Sequence, residues 1–277
     1  MSWLQAIAIA ILQGATELFP VSSLGHAVIL PALLKTGIDQ RAPEFLPFLV
    51  MLHLGTAVAL VAYFWRDWWS LTVVGLGYGA PEDVKACRKV IMLIVVATIP
   101  AVIVALLFEK IVRGMFGTPM LAAGFLALNG FFLLFGEKLR GKTHRALHSL
   151  TWVDALIIGC FQCLALVPGI SRSGTTIVAG LLRGINHAGA AHFSFLIATP
   201  IIFGATIHEV PKLLRANVDP KVFIMASGAA VVAGITGWLS TWFLMRYFRG
   251  HDNWALTPFA IYCIAFGMFG LGAFYNQ

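Results

Sequence analysis

Gln13-Gly-Ala-Thr-Glu-Leu-Phe-Pro-Val-Ser-Ser-Leu-Gly-His26 and Gln162-Cys-Leu-Ala-Leu-Val-Pro-Gly-Ile-Ser-Arg-Ser-Gly-Thr-Thr176 each set proline, glycine and polar side chains in the middle of a long apolar run. The runs around them, about 3–34 and 152–183, are each long enough for two helices. Crossing the hydrocarbon core takes roughly 20 apolar residues. Broken, polar backbone at membrane depth is tolerated only where protein buries it or where it lines a cavity. Each run therefore reads as a re-entrant helix pair. The two also match at an offset of 149 residues: Gln13 falls on Gln162, Ser22 on Ser171, Ser23 on Arg172, Gly25 on Gly174 and His26 on Thr175, with Pro20 and Pro168 one position out of step.

Outside these runs, six segments free of Asp, Glu, Lys and Arg qualify as spans, about 45–65, 90–108, 119–136, 190–207, 222–245 and 254–275. Three follow each hairpin, and an odd number of spans turns the second copy upside down. The expectation is an all-α polytopic membrane protein with six transmembrane helices plus two re-entrant helix pairs in an inverted-topology repeat. It is a single integral membrane domain over 1–277, with one repeat in 1–136 and the other in 150–277. Ligand sites in such folds lie between the repeats, at broken helices.

Composition agrees. The 277 residues are 59% hydrophobic and 11% charged, with a mean hydropathy of +0.87, against about 25% charged in soluble domains. A net charge of +7 raises nucleic acid as a partner, but the Lys and Arg lie mostly between apolar runs, so nucleic acid is not expected. Four cysteines make no disulfide framework. No Lys or Arg precedes Lys35, so a cleaved signal peptide is not expected either. Ten Lys and Arg (Arg66, Lys85, Arg88, Lys89, Lys138, Arg140, Lys142, Arg145, Arg246, Arg249) fall on one side and seven (Lys35, Arg41, Lys110, Arg113, Lys212, Arg215, Lys221) on the other. Positive-inside makes the first side cytoplasmic and both termini external.

Glu17, His26 and Arg172 are ionisable groups at membrane depth, which marks them as functional candidates. A buried Glu17–Arg172 pair that only pins the hairpins together is the plainer alternative. The neighbours favour chemistry. After Pro168-Gly169, the run Ser171-Arg172-Ser173-Gly174-Thr175-Thr176 opens a helix whose free N–H groups and dipole suit an anion. Hydroxyls and a guanidinium add donors. Ser22 and Ser23 open a second helix start. Capping accounts for one hydroxyl per helix, but not for Arg172 or His26. Ser23 and His26, three apart, share a helix face, which pairs a hydroxyl with a proton-handling ring. Glu17 is placed to orient His26, accept a proton, or hold a divalent cation with Gln13, although one carboxylate and one amide are thin for a metal cage.

At these residues the chain resembles the undecaprenyl-diphosphate phosphatase, or bacitracin-resistance, family. Gln13-Gly-Ala-Thr-Glu17 is similar to its (E/Q)xxxE motif, Ser22-Ser-Leu-Gly-His26 to its Ser-Ser-x-Gly-His stretch, with Leu24 where Thr is frequent, and Pro168–Thr176 to its PGxSRSxxT motif. The resemblance implies an enzyme of the bacterial cytoplasmic (inner) membrane that removes the terminal phosphate of undecaprenyl diphosphate, from a site open to the periplasm. It implies Ser23 as nucleophile, His26 and Glu17 as proton-handling or metal-linked groups, and Arg172 as phosphate clamp. Gly169, Ser171, Ser173, Gly174, Thr175, Thr176 and Ser22 would line the phosphate. A divalent cation, Mg²⁺ or alternatively Ca²⁺, would arrive with the diphosphate. The expected partners are the polyprenyl diphosphate lipid and the bilayer, with a homodimer left open. A transporter or flippase of a phosphorylated polyprenyl lipid is the alternative. A general phosphatidate phosphatase fits less well. His53, mid-span, either faces the cavity or bonds to another helix. Cys160-x-x-Cys163 lacks the second pair that zinc needs, and His144 and His148 read as solvated.

Overall fold

The computed structural model describes residues 1–38, 42, 45–115, 118–140, 145, 147–215 and 220–275. Arg41, Lys142 and His144 lie outside the described residues, as do the side chains of Arg113, His148, Lys212 and Arg215. Helices make up the described chain. The first hairpin is α1 (Trp3–Thr16) and α2 (Ser23–Leu33); then come α3 (Phe45–Tyr63), α4 (Trp65–Val73), α5 (Pro81–Leu107), α6 (Glu109–Met115) and α7 (Pro119–Leu139). The second hairpin is α8 (Trp152–Gln162), a 3-10 turn over Cys163–Leu166, and α9 (Arg172–Leu182), followed by α10 (His187–Arg215), α11 (Pro220–Gly250) and α12 (Thr257–Tyr275).

Five of these helices, α5, α7, α10, α11 and α12, are long and apolar enough to cross a membrane. A sixth span results if α3 and α4, bent by 73° at their junction, are counted together. The span expected over 45–65 therefore stops at Tyr63. Beyond it, Trp65-Arg-Asp-Trp-Trp69 has the mixed polar and aromatic character of a segment at a membrane surface. The outer face of α5 carries exposed Met92, Val95, Ile99 and Ile103, a surface suited to lipid and not to water.

The hairpins correspond in local detail. Ser2 caps α1 and Thr151 caps α8, each in a reciprocal capping box, with Gln5 and Asp154 respectively. Ser22 caps α2 by accepting from Gly25 N, and Ser171 caps α9 by accepting from Gly174 N. All four pairs keep the offset of 149, and so do the first and last residues of α2 and α9. The hairpins also seat alike: Gly14 of α1 lies against Ala233 and Thr236 of α11, and Gly159 of α8 against Ala97 of α5. Small residues let helices approach closely without a hydrophobic drive between them.

The second hairpin is tied down at its outer end. Buried Asp154 accepts from Arg183 Nε at 2.6 Å, Arg145 Nη2 at 3.0 Å, and the Thr151 amide and hydroxyl at 2.9 Å. Burial pushes this carboxyl up, but the Thr151 amide, the two arginines and the Thr151 hydroxyl together outweigh burial and hold it well below its ordinary value of 3.8. A depressed carboxylate contributes stability that is complete above that ordinary value and is lost as pH falls through the lower folded value. Asp154→Asn should therefore lower the thermal midpoint at pH 7 by the equivalent of about 1–3 kcal/mol, since both arginines are partly solvent-screened. In melts across pH, the gap to the unsubstituted protein should close below about 3.8.

Candidate active site

The two hairpins meet at their breaks. Asn129, buried in α7, donates from Nδ2 to the Pro20 carbonyl and accepts from the Ser171 amide on Oδ1, both at 3.0 Å. Ser173 Oγ donates to the Phe19 carbonyl at 3.0 Å, and Ser171 Oγ lies 3.3 Å from the same oxygen. A Cβ on Gly25 would lie 3.0 Å from the Gly169 Cα, so the helix starts cross at two glycines. Gly169 has φ +102°, and a Cβ there would overlap the Ala122 carbonyl oxygen. Left-handed backbone alone costs a side chain about 1–2 kcal/mol. Gly169→Ala should therefore fail to reach the native fold or melt far below wild type, as read by thermal unfolding in detergent.

Glu17 closes α1 and is the centre of the site. Its Oε1 accepts from Arg172 Nη2 at 3.0 Å. Its Oε2 accepts from Ser23 Oγ at 2.5 Å and Gln13 Nε2 at 2.9 Å, and lies 3.3 Å from His53 Nε2. The ion pair considered from sequence is present, but it does not use Arg172 up: the buried Nη1 has no partner among the described residues. Buried donors are rarely left unpaired, so Nη1 points to a missing acceptor. A cavity of about 540 Å³ opens beside it, lined at its polar end by Glu17, Ser22, Ser23, His53, Ser171 and Arg172. Much of the remaining wall is apolar, with Leu106, Leu166, Ile170, Ile201 and Ile202 among its residues, while Gln162, Thr206, Glu109, His208 and Glu209 add polar groups to it.

Several expected residues are placed elsewhere. Ser23 and His26 do not pair. His26 is fully buried and does not line the cavity: its Nδ1 lies 2.7 Å from the Ser22 carbonyl oxygen and its Nε2 2.7 Å from Tyr262 Oη, with the ring stacked on Tyr262 and Phe266. A carbonyl only accepts, so Nδ1 donates and Nε2 takes the phenol proton. The ring thereby supports Ser22, a non-glycine residue at φ +64°, a conformation that persists only where its surroundings hold it. Gly169, Ser173, Gly174, Thr175 and Thr176 also lie off the cavity wall. The Thr175 and Thr176 hydroxyls bond back to the Arg172 carbonyl, and Thr176 also meets Ser194 Oγ at 2.6 Å, the usual local alternative for such side chains.

Two residues at the site escaped the motifs. His53 comes from α3 and Asn129 from α7; each is a strongly polar residue in the middle of an apolar run, and that was the one available signal. Gln13 and Glu17, expected to hold a cation, fit one poorly. Four donors occupy the carboxylate, one of them a guanidinium, and the unpartnered acceptor left is Gln13 Oε1. A hard divalent ion needs several converging oxygens. Among the described residues, one group does have a metal-like donor set. Glu109, His208 and Glu209, elsewhere on the cavity wall, bring their ligand atoms within 4.8 Å of one another.

The family description "Bacitracin resistance protein BacA" matches residues 6–269. The undecaprenyl-diphosphatase of Granulibacter bethesdensis is 60% identical, covering 97% of this chain and 95% of its own length. The corresponding protein of Acidiphilium cryptum is 54% identical, with 98% of both chains covered. That of Gluconobacter oxydans is 50% identical over 97% of this chain and 98% of its own. With a match running through both hairpins and the helices between them, the chain belongs to the bacitracin resistance protein BacA family.

Proposed function

We propose that this protein is an undecaprenyl-diphosphate phosphatase of the bacterial cytoplasmic membrane, releasing inorganic phosphate and leaving the lipid monophosphate for reuse in cell-wall synthesis. One observation carries the assignment: Ser23 Oγ is hydrogen-bonded to Glu17 at 2.5 Å, beside an arginine whose Nη1 has no partner among the described residues, at one end of a cavity with a largely apolar wall. In this reading the terminal phosphate takes Arg172, and the isoprenoid chain follows the apolar wall. Ser23 Oγ attacks the terminal phosphorus while its proton passes to Glu17 Oε2. The bridging P–O bond breaks, and its electron pair leaves on the lipid phosphate. Water then hydrolyses the phosphoserine, and Ser23 recovers its proton from Glu17. Arg172 and the N–H groups at the start of α9 stabilise the phosphoryl charge. Mg²⁺ or Ca²⁺, if it accompanies the substrate, would be held by the diphosphate oxygens and not by Gln13 or Glu17, and would neutralise phosphoryl charge.

The same reading includes the six-span, inverted-repeat topology, with repeats in 1–136 and 150–277 and the cavity facing the periplasm. The matched caps at an offset of 149 support the repeat, and the ten-to-seven charge bias supports the orientation. A homodimer is compatible with it. That repeat also favours a second reading, a carrier for phosphorylated polyprenyl lipid. Proteoliposomes of known protein orientation, given undecaprenyl diphosphate in one leaflet, separate the two. The phosphatase reading expects phosphate on the periplasmic face alone. Movement of intact diphosphate between leaflets without phosphate release would support the carrier.

A further inference from the structure

His53 belongs to neither motif and lies 36 positions after Glu17. It sits within α3, where the Leu49 carbonyl oxygen is 2.7 Å from Nδ1. Since a carbonyl only accepts, Nδ1 carries hydrogen. The other nitrogen, Nε2, lies 3.3 Å from Glu17 Oε2, a contact that is favourable with a proton between the two atoms. The ring is thus anchored at one end to its own helix and at the other to the carboxylate.

The need for this anchor follows from what happens to the other donors. Free of ligand, Glu17 is held by Arg172, Ser23, Gln13 and His53. A bound diphosphate competes for Arg172, because phosphate oxygens offer the guanidinium a better charge-assisted fork than a carboxylate it shares. Ser23 gives up its proton during the reaction. Two donors then remain, both on Oε2. Gln13 stands one turn before Glu17 on the same helix, so it moves with the carboxylate. His53 is the one that reaches it from a separate helix.

We propose that His53 is a positioning residue: its Nε2 fixes Glu17 Oε2 toward Ser23 Oγ while the phosphate engages Arg172. The proposal rests on the phosphatase reading for its consequence in catalysis, but the contact itself can be tested without turnover. A displaced catalytic group costs on the order of 10²-fold in rate. His53→Leu, which removes both ring nitrogens, should lower kcat by about that factor with KM changed little. His53→Gln, which keeps a side-chain N–H of similar reach, should restore kcat to within about tenfold of wild type. A lost packing contact would not be rescued by that amide.

The infrared carboxylate band of Glu17, identified as the one absent from Glu17→Gln, provides the independent readout. It should shift in His53→Leu and return toward its original position in His53→Gln. An unshifted band in His53→Leu overturns the proposal, as does wild-type kcat in that variant or a glutamine variant as slow as the leucine one. If the wild type releases no phosphate, the phosphatase reading fails, and the infrared band still decides whether His53 holds Glu17.

Discussion

Ser23→Ala is expected to reduce phosphate release from undecaprenyl diphosphate by on the order of 10⁴-fold or more, the scale on which removal of an activated nucleophile acts. Little else should change. Ser23 is the first residue of α2, and the cap of that helix is Ser22, whose bond to Gly25 N the substitution leaves in place. Alanine suits the first turn as well as serine does. Glu17 keeps three of its four donors, from Arg172, Gln13 and His53. Thermal midpoint and affinity for the lipid should stay near wild type. Parallel measurements of phosphate release, lipid binding and unfolding test this. A loss of less than about tenfold would move the attack from Ser23 to water, because a serine that only lines a pocket contributes one hydrogen bond.

Arg172 carries the second large effect, with a different signature. Arg172→Ala removes the group proposed to close on the phosphate and, with it, the cation paired to Glu17 at 3.0 Å. Breaking a buried ion pair from one side costs about 3–5 kcal/mol, here softened by the donors that remain on Oε2. The alanine variant should therefore melt lower and lose on the order of 10³-fold in kcat/KM. Arg172→Lys separates the two losses. An ammonium can pair with Glu17 and recover stability, but its point charge cannot offer a phosphate the planar, bidentate fork of a guanidinium. Wild-type melting with kcat/KM still down about 10²-fold is the expected result for lysine. Stability and rate recovering together would reduce Arg172 to a strut between the hairpins.

The contrast between the two histidines shows where sequence reading was adequate and where it was not. The spacing of Ser22 to Gly25 and of Ser171 to Gly174 is local, and local spacing carried both helix starts. The same logic paired Ser23 with His26, three residues on, and there it failed. The left-handed Ser22 at the head of α2 offers its carbonyl to the His26 ring, and Tyr262 and Phe266 of α12 provide the stacking surface. His53 and Asn129 reach the site from α3 and α7, and a pattern within one segment says nothing of what faces it across a cavity. The hydroxyls of Ser173, Thr175 and Thr176 match an anion cradle in composition, yet backbone carbonyls and neighbouring hydroxyls claim them first. The bend between α3 and α4 was hidden for another reason: Arg66 and Asp67 mark where the apolar run ends, but not the angle at which the chain turns there.

The central claim is that the crossed helix starts form a catalytic site and not a mere binding site. It is tested most directly with purified wild-type protein in detergent and undecaprenyl diphosphate in excess over protein. Released phosphate and bound lipid are followed in the same sample, with and without added Mg²⁺ or Ca²⁺. The account predicts many phosphates released per protein molecule, with the monophosphate lipid appearing in equal amount. Stoichiometric lipid binding with no phosphate released under any of these conditions would contradict it.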